Sequence, residues 1–302
     1  MTDELLPGIT LFTPTYNRAH TLKRLYDSIV CQDTTSIEWL VVDDGSCDGT
    51  AELIKDLNQE RKLDIHYVYK ENGGKHTALN LGIQLAKYQY FLCVDSDDCL
   101  AEGAVEQISC CIRKDHPFGI IGYKASMGDN ARIGDCFPEG LEKTTLFSLI
   151  NTYHCSGDRT LIYQTAVLKN IHIPEPRGVD FFPETYIYDR FDEQHESVLL
   201  PVCLCRCEYL PGGYSDSFRM LMIRNALSMK WFYAQRIDMP CSFLVRMRSV
   251  FRYIAYSLLA TGKEGKYSGR YRWLFPLGAP KGIAMYFVYE YYRRQYHRKQ
   301  RK

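Results

Sequence analysis

Acidic residues almost disappear from the end of this sequence. Residues 217–302 hold three, Asp238, Glu264 and Glu290, against 18 Lys and Arg, so the overall charge of +1 hides a C-terminal part at +15 and a preceding part at −14. Two parts so different in charge face different partners. Long apolar runs are missing too. Nothing behind "MTDELLPG" reads as a secretory signal, and the last apolar stretch is broken by Pro276, Pro280 and Lys281 before it reaches the ~18 residues of a spanning helix. The expected place of work is the cytoplasm. The 12 Cys show no disulfide-framework spacing and no Cys-x-x-Cys pair, which excludes a stapled extracellular scaffold and offers no zinc pattern. Their one cluster, Cys203, Cys205 and Cys207 in "CLCRC", alternates at period two and is expected on one face of a strand, packed as small hydrophobes. Repeats and low-complexity tracts are absent, and a composition 46% hydrophobic and 24% charged is that of a globular protein with a full core.

What is present is an alternation of apolar strands and amphipathic helices. "GITLFTP", "EWLVVDDGS", "DIHYVYK" and "YQYFLCVDSDD" read as strands. Between and after them, Thr21–Cys31, "DGTAELIKDL" with Asp48 or Thr50 as cap, "NGGKHTALNLGIQLAK" and "AEGAVEQISCCIRK" read as helices. Repeated β-α units with continuous apolar strands imply an α/β fold, a Rossmann-like, mainly parallel sheet flanked by helices. Such sheets bind ligands at the carboxyl ends of their strands. Those ends are "PTYNR", "DDGS", "ENGGKH" and "DSDD". From about Lys124 to Gly140 the pattern loosens into a loop leaving the sheet, and after Asp216 the chain reads as helical and basic. The fourth strand ends in Asp95, Asp97 and Asp98 within four positions. Carboxylates so close repel one another, and a positive partner is expected beside them.

Taken in order, "TPTYNR", "VVDDGSCDGT", "NGGKHTALN" and "FLCVDSDD" make residues 8–105 resemble a family 2 glycosyltransferase of the GT-A fold, and "DFFPE" and "YLPGGYSDS" continue the likeness toward bacterial polysaccharide and capsule enzymes. The resemblance implies three parts: residues 1–125 as the nucleotide-sugar half, 126–216 as the acceptor half, and 217–302 as a helical basic and aromatic extension. It also implies a nucleoside-diphosphate sugar donor held through Mn2+ or Mg2+, since two anions meet only across a cation and these ions take hard oxygen ligands. Asp95-Ser96-Asp97 matches the family's Asp-x-Asp motif: Asp97 would coordinate the metal, Asp95 would meet the ribose or a metal-bound water, and Asp98 stands between ligand and cap of a helix starting near Ala101. Asp43 and Asp44 would read the nucleoside, Asp44 taking a uracil N–H. Thr13, Pro14, Tyr16, Asn17 and Arg18 would form the loop around base and phosphate. Asn72, Gly73, Gly74 and Lys75 would offer backbone, helix N-terminus and a point charge to the diphosphate.

Attack on the anomeric carbon also requires a base for the acceptor hydroxyl. In "FFPETYIYDRF" the family's position falls on Glu184, but Thr185 replaces the second acid usual there, which keeps Asp180 and Asp189 in contention. "LPGGYSDS" is expected to close over the donor. In the tail, Phe243, Met247, Val250, Phe251, Ile254 and Leu258 recur at helical spacing beside Arg246, Arg248 and Arg252, an amphipathic helix suited to the anionic inner face of the cytoplasmic membrane, where it would meet a glycan or lipid-linked acceptor. The alternative is a helix packed on the protein. No nucleic-acid motif accompanies the charge. The expected activity is inverting transfer of a sugar, with a UDP-sugar as donor. Sugar-phosphate nucleotidyl transfer, which would need a glycine-rich basic loop after the first strand, and a non-catalytic nucleotide-sugar-binding role stand as rivals.

Overall fold

The computed structural model describes residues 5–208, 214–260 and 266–300. By internal contacts the chain forms two compact units, Met1–His172 with Gln194–Glu208, and Ile173–Glu193 with Tyr209–Lys302. In the first unit, strands β1 (Leu6–Thr15), β2 (Ile37–Asp43), β3 (Asp64–Tyr69), β4 (Tyr88–Cys93), β5 (Cys99–Leu100), β6 (Gly119–Ser126), β7 (Lys143–Thr144), β8 (Arg159–Gln164) and β9 (Ser197–Cys207) build one mixed sheet. Its order is β3-β2-β1-β4-β8-β6-β9-β5, with β7 on β9. β1 to β4 pair in parallel, in register Thr15 to Asp43 and Asp43 to Tyr69, and β8 then enters antiparallel to both β4 and β6. The parallel half needs helical crossovers, supplied by α1 (Ala19–Val30), α2 (Thr50–Gln59) and α3 (Lys75–Leu85). Helices α4 (Ala104–Asp115), α5 (Leu146–Asn151) and α6 (Thr165–Leu168) complete the unit.

The apolar runs are continuous because both sheet faces are covered. All seven residues of β2 are buried. Leu22, Leu25 and Ile29 recur on the inner side of α1 and pack with Leu11, Trp39 and Val41 in one core cluster. Burying each such aliphatic side chain stabilises the fold by about 1.5–3 kcal/mol. Trp39 is wholly enclosed, and its indole N–H donates to the Thr13 hydroxyl at 3.0 Å. Thr13 and Pro14, read above both in the strand "GITLFTP" and in the loop around base and phosphate, belong to β1, which runs one residue further to Thr15, and only Tyr16, Asn17 and Arg18 stand in the loop beyond it.

Other boundaries shift for local reasons. Gly49, in the left-handed region, occupies the N-cap of α2, so neither Asp48 nor Thr50 caps it; the Asp48 carboxylate accepts from Thr50 Oγ1 at 2.6 Å and from the Ala19 N–H at 3.0 Å. α4 starts at Ala104 behind Gly103, six residues past Asp98, which removes the capping role considered for that acid. Lys124 lies inside β6 and not in a loop; the chain leaves the sheet only after Ser126. In β9, Cys205 and Cys207 are buried and Cys203 half-buried. Burial pushes the Cys205 thiol up to about 12 and the Cys207 thiol up to about 11, as inert packing groups.

The second unit is helical: α7 (Thr185–Asp192), α8 (Tyr214–Arg224), α9 (Ala226–Asp238), α10 (Phe243–Leu259) and α11 (Phe275–Gln300), with a 3-10 turn at Arg272–Leu274. The "LPGGY" stretch falls largely outside the described residues. α10 is the centre of this unit and packs on both α9 and α11. Met247, Val250, Tyr253 and Tyr256 are buried, whereas Phe243 and Leu258 point outward. Even Arg246 is enclosed, donating to the Ile237 and Cys241 carbonyls and lying over the Tyr271 ring. The apolar face expected for α10 is thus internal along its middle, with Met247 and Val250 buried and Phe251 and Ile254 half-buried, while Phe243, Leu258, Arg248 and Arg252 remain exposed.

Asp189, on α7, is buried and accepts from Arg236 Nε at 2.6 Å and Nη2 at 3.0 Å. A bidentate pair of this kind leaves an uncompensated charge when halved. Arg236→Met is expected to lose about 3–5 kcal/mol in urea unfolding, and Asp189→Leu added to it to recover much of that loss. Additive losses would show that the two residues are not coupled.

Candidate active site

Three loops at the carboxyl ends of β1, β2 and β3 are tied into one platform. The Asn17 N–H donates to Ser46 Oγ at 2.8 Å, and Asn17 Oδ1 accepts from the Cys47 N–H at 2.9 Å, joining the first loop to the second. Asp43 Oδ1 closes the second loop by accepting from the Ser46 N–H at 2.8 Å, while Oδ2 accepts from the Tyr67 hydroxyl at 2.7 Å. Asp44 then holds the third loop: its oxygens accept from the Gly73 N–H at 2.9 Å, the Gly74 N–H at 2.8 Å and Lys70 Nζ at 2.5 Å. Gly45 makes this possible. Its φ is +91°, and a Cβ there would come within 3.0 Å of the Asn72 amide nitrogen.

The acids beyond β4 are held by cations in the same way. Asp95 Oδ1 accepts from Lys75 Nζ, the first residue of α3. Asp98 Oδ2 accepts from Lys124 Nζ at 2.7 Å, both side chains being largely buried. The Asp98 N–H returns to the Asp95 carbonyl at 3.0 Å, and Arg24 Nη2 donates to the Asp97 carbonyl at 2.6 Å, so the turn is clamped from both sides. Desolvation acts to raise the Asp95 carboxyl, but the ammoniums of Lys75 and Lys124 outweigh it and hold the pKa below the usual carboxylate value. For Asp98, desolvation wins: with Asp95 and Asp97 adding repulsion against Lys124, the carboxyl is pushed up to about 6. Burial opposes the charge on Lys124, and the attraction of Asp98 and Asp95 overcomes it and raises the pKa.

The side chain of Asp97, half-buried between these two pairs, makes no hydrogen bond or ion pair among the described residues. That arrangement fits a divalent ion drawing on Asp97, and on Asp95 once Lys75 is drawn off, with water and phosphate oxygens completing its shell. It does not fit a three-carboxylate cage, because Asp98 is committed to Lys124, and no ready group of three His, Cys, Asp or Glu ligands occurs among the described residues. Ser96 is buried within the turn. Tyr16 is half exposed and Arg18 partly so, at the rim of the first loop. Asp180 and Glu184 belong to the second unit: the Asp180 N–H donates to Asn225 Oδ1 at 2.9 Å, and Glu184 stands at the N-cap of α7, where Tyr188 Oη is 3.4 Å from its Oε2. Asp189, bound to Arg236 on both oxygens, is no candidate base.

Three cations of this site escape a reading by motif: Arg24, Lys70 and Lys124. Only Lys124 leaves a trace, as the one charge in "GIIGYKAS", since a cation in a buried strand must be paired.

Comparison with known proteins agrees with this geometry. The model described as "Glycosyl transferase family 2" matches residues 10–164, and the chain belongs to that family. Its fold is the GT-A fold. Over 100 residues it is 37% identical to "Glycosyltransferase GlyA" of Streptococcus pneumoniae serotype 4, a match covering 33% of this chain and 14% of that protein. Over 99 residues it is 34% identical to poly-beta-1,6-N-acetyl-D-glucosamine synthase of Staphylococcus aureus, covering 33% of this chain and 24% of that one. The matched part is thus less than a quarter of either curated relative. Among solved structures, S. aureus TarS 1-349 in complex with UDP-GlcNAc superposes with a TM-score of 0.63 at 20% identity, over 95% of this chain and 92% of that one. The mannosyltransferase PcManGT from Pyrobaculum calidifontis, in complex with GDP-Man and Mn2+, gives 0.55 at 17%, over 97% and 86%.

The clamp on the acidic turn is open to test. Lys124→Met is expected to destabilise the protein by about 1–3 kcal/mol, and a double-mutant cycle with Asp98→Asn to return a coupling of at least ~1 kcal/mol. A coupling near zero would mean that Asp98 and Lys124 are neighbours without consequence.

Proposed function

We propose that this protein transfers a sugar, with inversion at the anomeric carbon, from a nucleoside-diphosphate donor of the UDP class to a hydroxyl of a growing bacterial cell-surface glycan or lipid-linked oligosaccharide. The observation that carries the reading is Asp97: an uncommitted carboxylate between two lysine-paired acids, at the strand-end edge where α/β sheets take their ligands. The UDP-GlcNAc and GDP-Man complexes of its structural neighbours and the polysaccharide synthase among its relatives support it.

The chain's own groups divide the work. Three N–H donors occupy Asp44, and a carboxylate has about four acceptor sites, which leaves one for a uracil N–H. Tyr16 offers a ring face to the base, and Arg18 a guanidinium to phosphate. Lys75, at the N-terminus of α3, exchanges Asp95 for the diphosphate, adding its charge where the helix end already favours an anion. A Mn2+ or Mg2+ held by Asp97 and Asp95 would neutralise charge on the departing diphosphate. Glu184 takes the proton of the acceptor hydroxyl, with Asp180 as the other carboxylate in reach of that role by sequence. A single displacement inverts the anomeric centre. The reading includes peripheral attachment at the inner face of the cytoplasmic membrane, supported by the basic C-terminal part and by the lack of any described helix long and apolar enough to cross a membrane.

Two measurements check this. UDP titrated by calorimetry should bind at least ~10-fold more tightly with Mn2+ than in EDTA, and Asp97→Asn should abolish the difference; equal affinity in both buffers would remove the metal role. Glu184→Gln should bind donor as the parent does while turnover drops about 10²–10⁴-fold. Unchanged turnover would pass the base role to Asp180.

A further inference from the structure

The last helix is apolar on two sides, and only one of them is used inside the protein. Gly278 and Gly282 set the inner side: a Cβ on Gly278 would lie 2.6 Å from Val250 Cγ1, and one on Gly282 2.7 Å from Ile254 Cβ, so α10 and α11 approach closely here. One helical repeat further on, Tyr289 packs on the Tyr256 ring with centroids 5.1 Å apart. These contacts fix the rotation of α11 about its axis. What then faces out is Leu277, Phe287, Val288 and Tyr291, continued upstream by Trp273 in the 3-10 turn, with exposures of 61%, 64%, 51%, 59% and 62%. Steps of three and four residues place Lys281, Arg294 and Arg298, all exposed, in the same stripe. Glu290 is the only acid of the helix, and it is ion-paired with Arg293 at 2.7 Å and Arg294 at 3.1 Å.

We propose that this outer stripe of α11 is the surface by which the protein lies on an anionic lipid bilayer, Trp273, Leu277, Phe287, Val288 and Tyr291 entering the headgroup boundary while Lys281, Arg294 and Arg298 meet lipid phosphates. The proposal deepens the peripheral attachment described above, which rests on the transferase reading for its purpose but not for its physics. Large exposed apolar side chains in a row are costly in water, aromatic residues favour the membrane interface, and cations beside them select negative lipid. α11 extends about 39 Å at 1.5 Å per residue, long enough to lie along the surface, while its interrupting glycines, prolines and charges keep it from spanning. A second copy of the chain is the less suitable occupant, because it would bring two cationic stripes together.

The test uses the full chain and flotation with phosphatidylcholine vesicles, with and without 30% phosphatidylglycerol. The protein should float with the anionic vesicles, at least tenfold more weakly with the neutral ones, and progressively less as NaCl is raised. Leu277→Gln/Phe287→Gln/Tyr291→Gln should reduce binding tenfold or more, and so should Lys281→Glu/Arg294→Glu/Arg298→Glu, which decides the matter if the first variant folds poorly by thermal melt. Anionic-vesicle binding absent in the parent, or undiminished in a folded variant of either set, would overturn the proposal. So would sedimentation showing a dimer that the same substitutions dissociate. Donor hydrolysis measured without vesicles separates the two readings: a parent that binds vesicles but never consumes a sugar nucleotide retains the surface and loses the transferase.

Discussion

The site depends on charge balance at the carboxyl ends of the sheet. Asp44, Asp95 and Asp98 would repel one another across loops that must hold still, and each is answered by a lysine from a different element: Lys70 behind β3, Lys75 at the start of α3, and Lys124 within β6. The pairs are unequal in kind. Lys124 and Asp98 are both largely buried, so neither charge is tolerable without the other. Lys75 and Asp95 remain partly open to solvent, so their pair is the one that can be exchanged at low cost for an incoming anion. A static clamp thus lies beneath an exchangeable one, and the function assigned to Lys75 follows from that difference in exposure.

The same economy explains which acid is left over. Asp43 and Asp44 spend their oxygens on the backbone amides and side chains that fix the second and third loops. Asp97 has its carbonyl held by Arg24, while its carboxylate makes no hydrogen bond or ion pair among the described residues. Backbone fixed and side chain uncommitted is the arrangement of a ligand prepared in advance, since little ordering remains to be done when a cation arrives.

Much of the sheet was legible in the sequence because parallel strands covered on both faces are continuously apolar, as β2 and the inner parts of β1 and β4 are; β3, at the sheet edge, is only partly buried. The acidic turn was legible because three carboxylates after such a strand have no structural excuse. Lys75 was legible in its motif, but Lys70 and Lys124 were not: a cation at a strand end reads as a solvated charge, and the partner of each sits 26 positions away in motifs that look complete without it. Lys124 was further hidden by the glycines and acids that follow it, which made the end of β6 look like loop. The tail was only partly legible, again for a physical reason. Periodicity locates an amphipathic helix without saying what covers its apolar side, and in α10 the middle of that side packs on α9 and α11, with Arg246 enclosed among carbonyls and the Tyr271 ring, while Phe243 and Leu258 stay exposed. The exposed apolar stripe is on the next helix, where apolar residues on two sides erase any periodic signal.

Segregation of charge along the chain has a consequence that no single contact contains. The buried acids Asp44 and Asp98 are neutralised within a few ångströms, while residues 1–216 as a whole keep a balance of −14 against +15 for residues 217–302. Arg248, Arg252, Arg270, Arg272, Lys281, Arg294 and Arg298 are exposed, and acids are nearly absent from residues 217–302. Within about a Debye length, ~8 Å at physiological salt, the cations of the C-terminal part attract an anionic surface. On the function proposed above, anionic surfaces are drawn to that part and the small anionic donor is recognised at the acidic turn, where the Asp97 carboxylate would take the bridging cation. Long-range attraction and short-range chemistry are thus assigned to different stretches of one chain, and neither has to compromise the other.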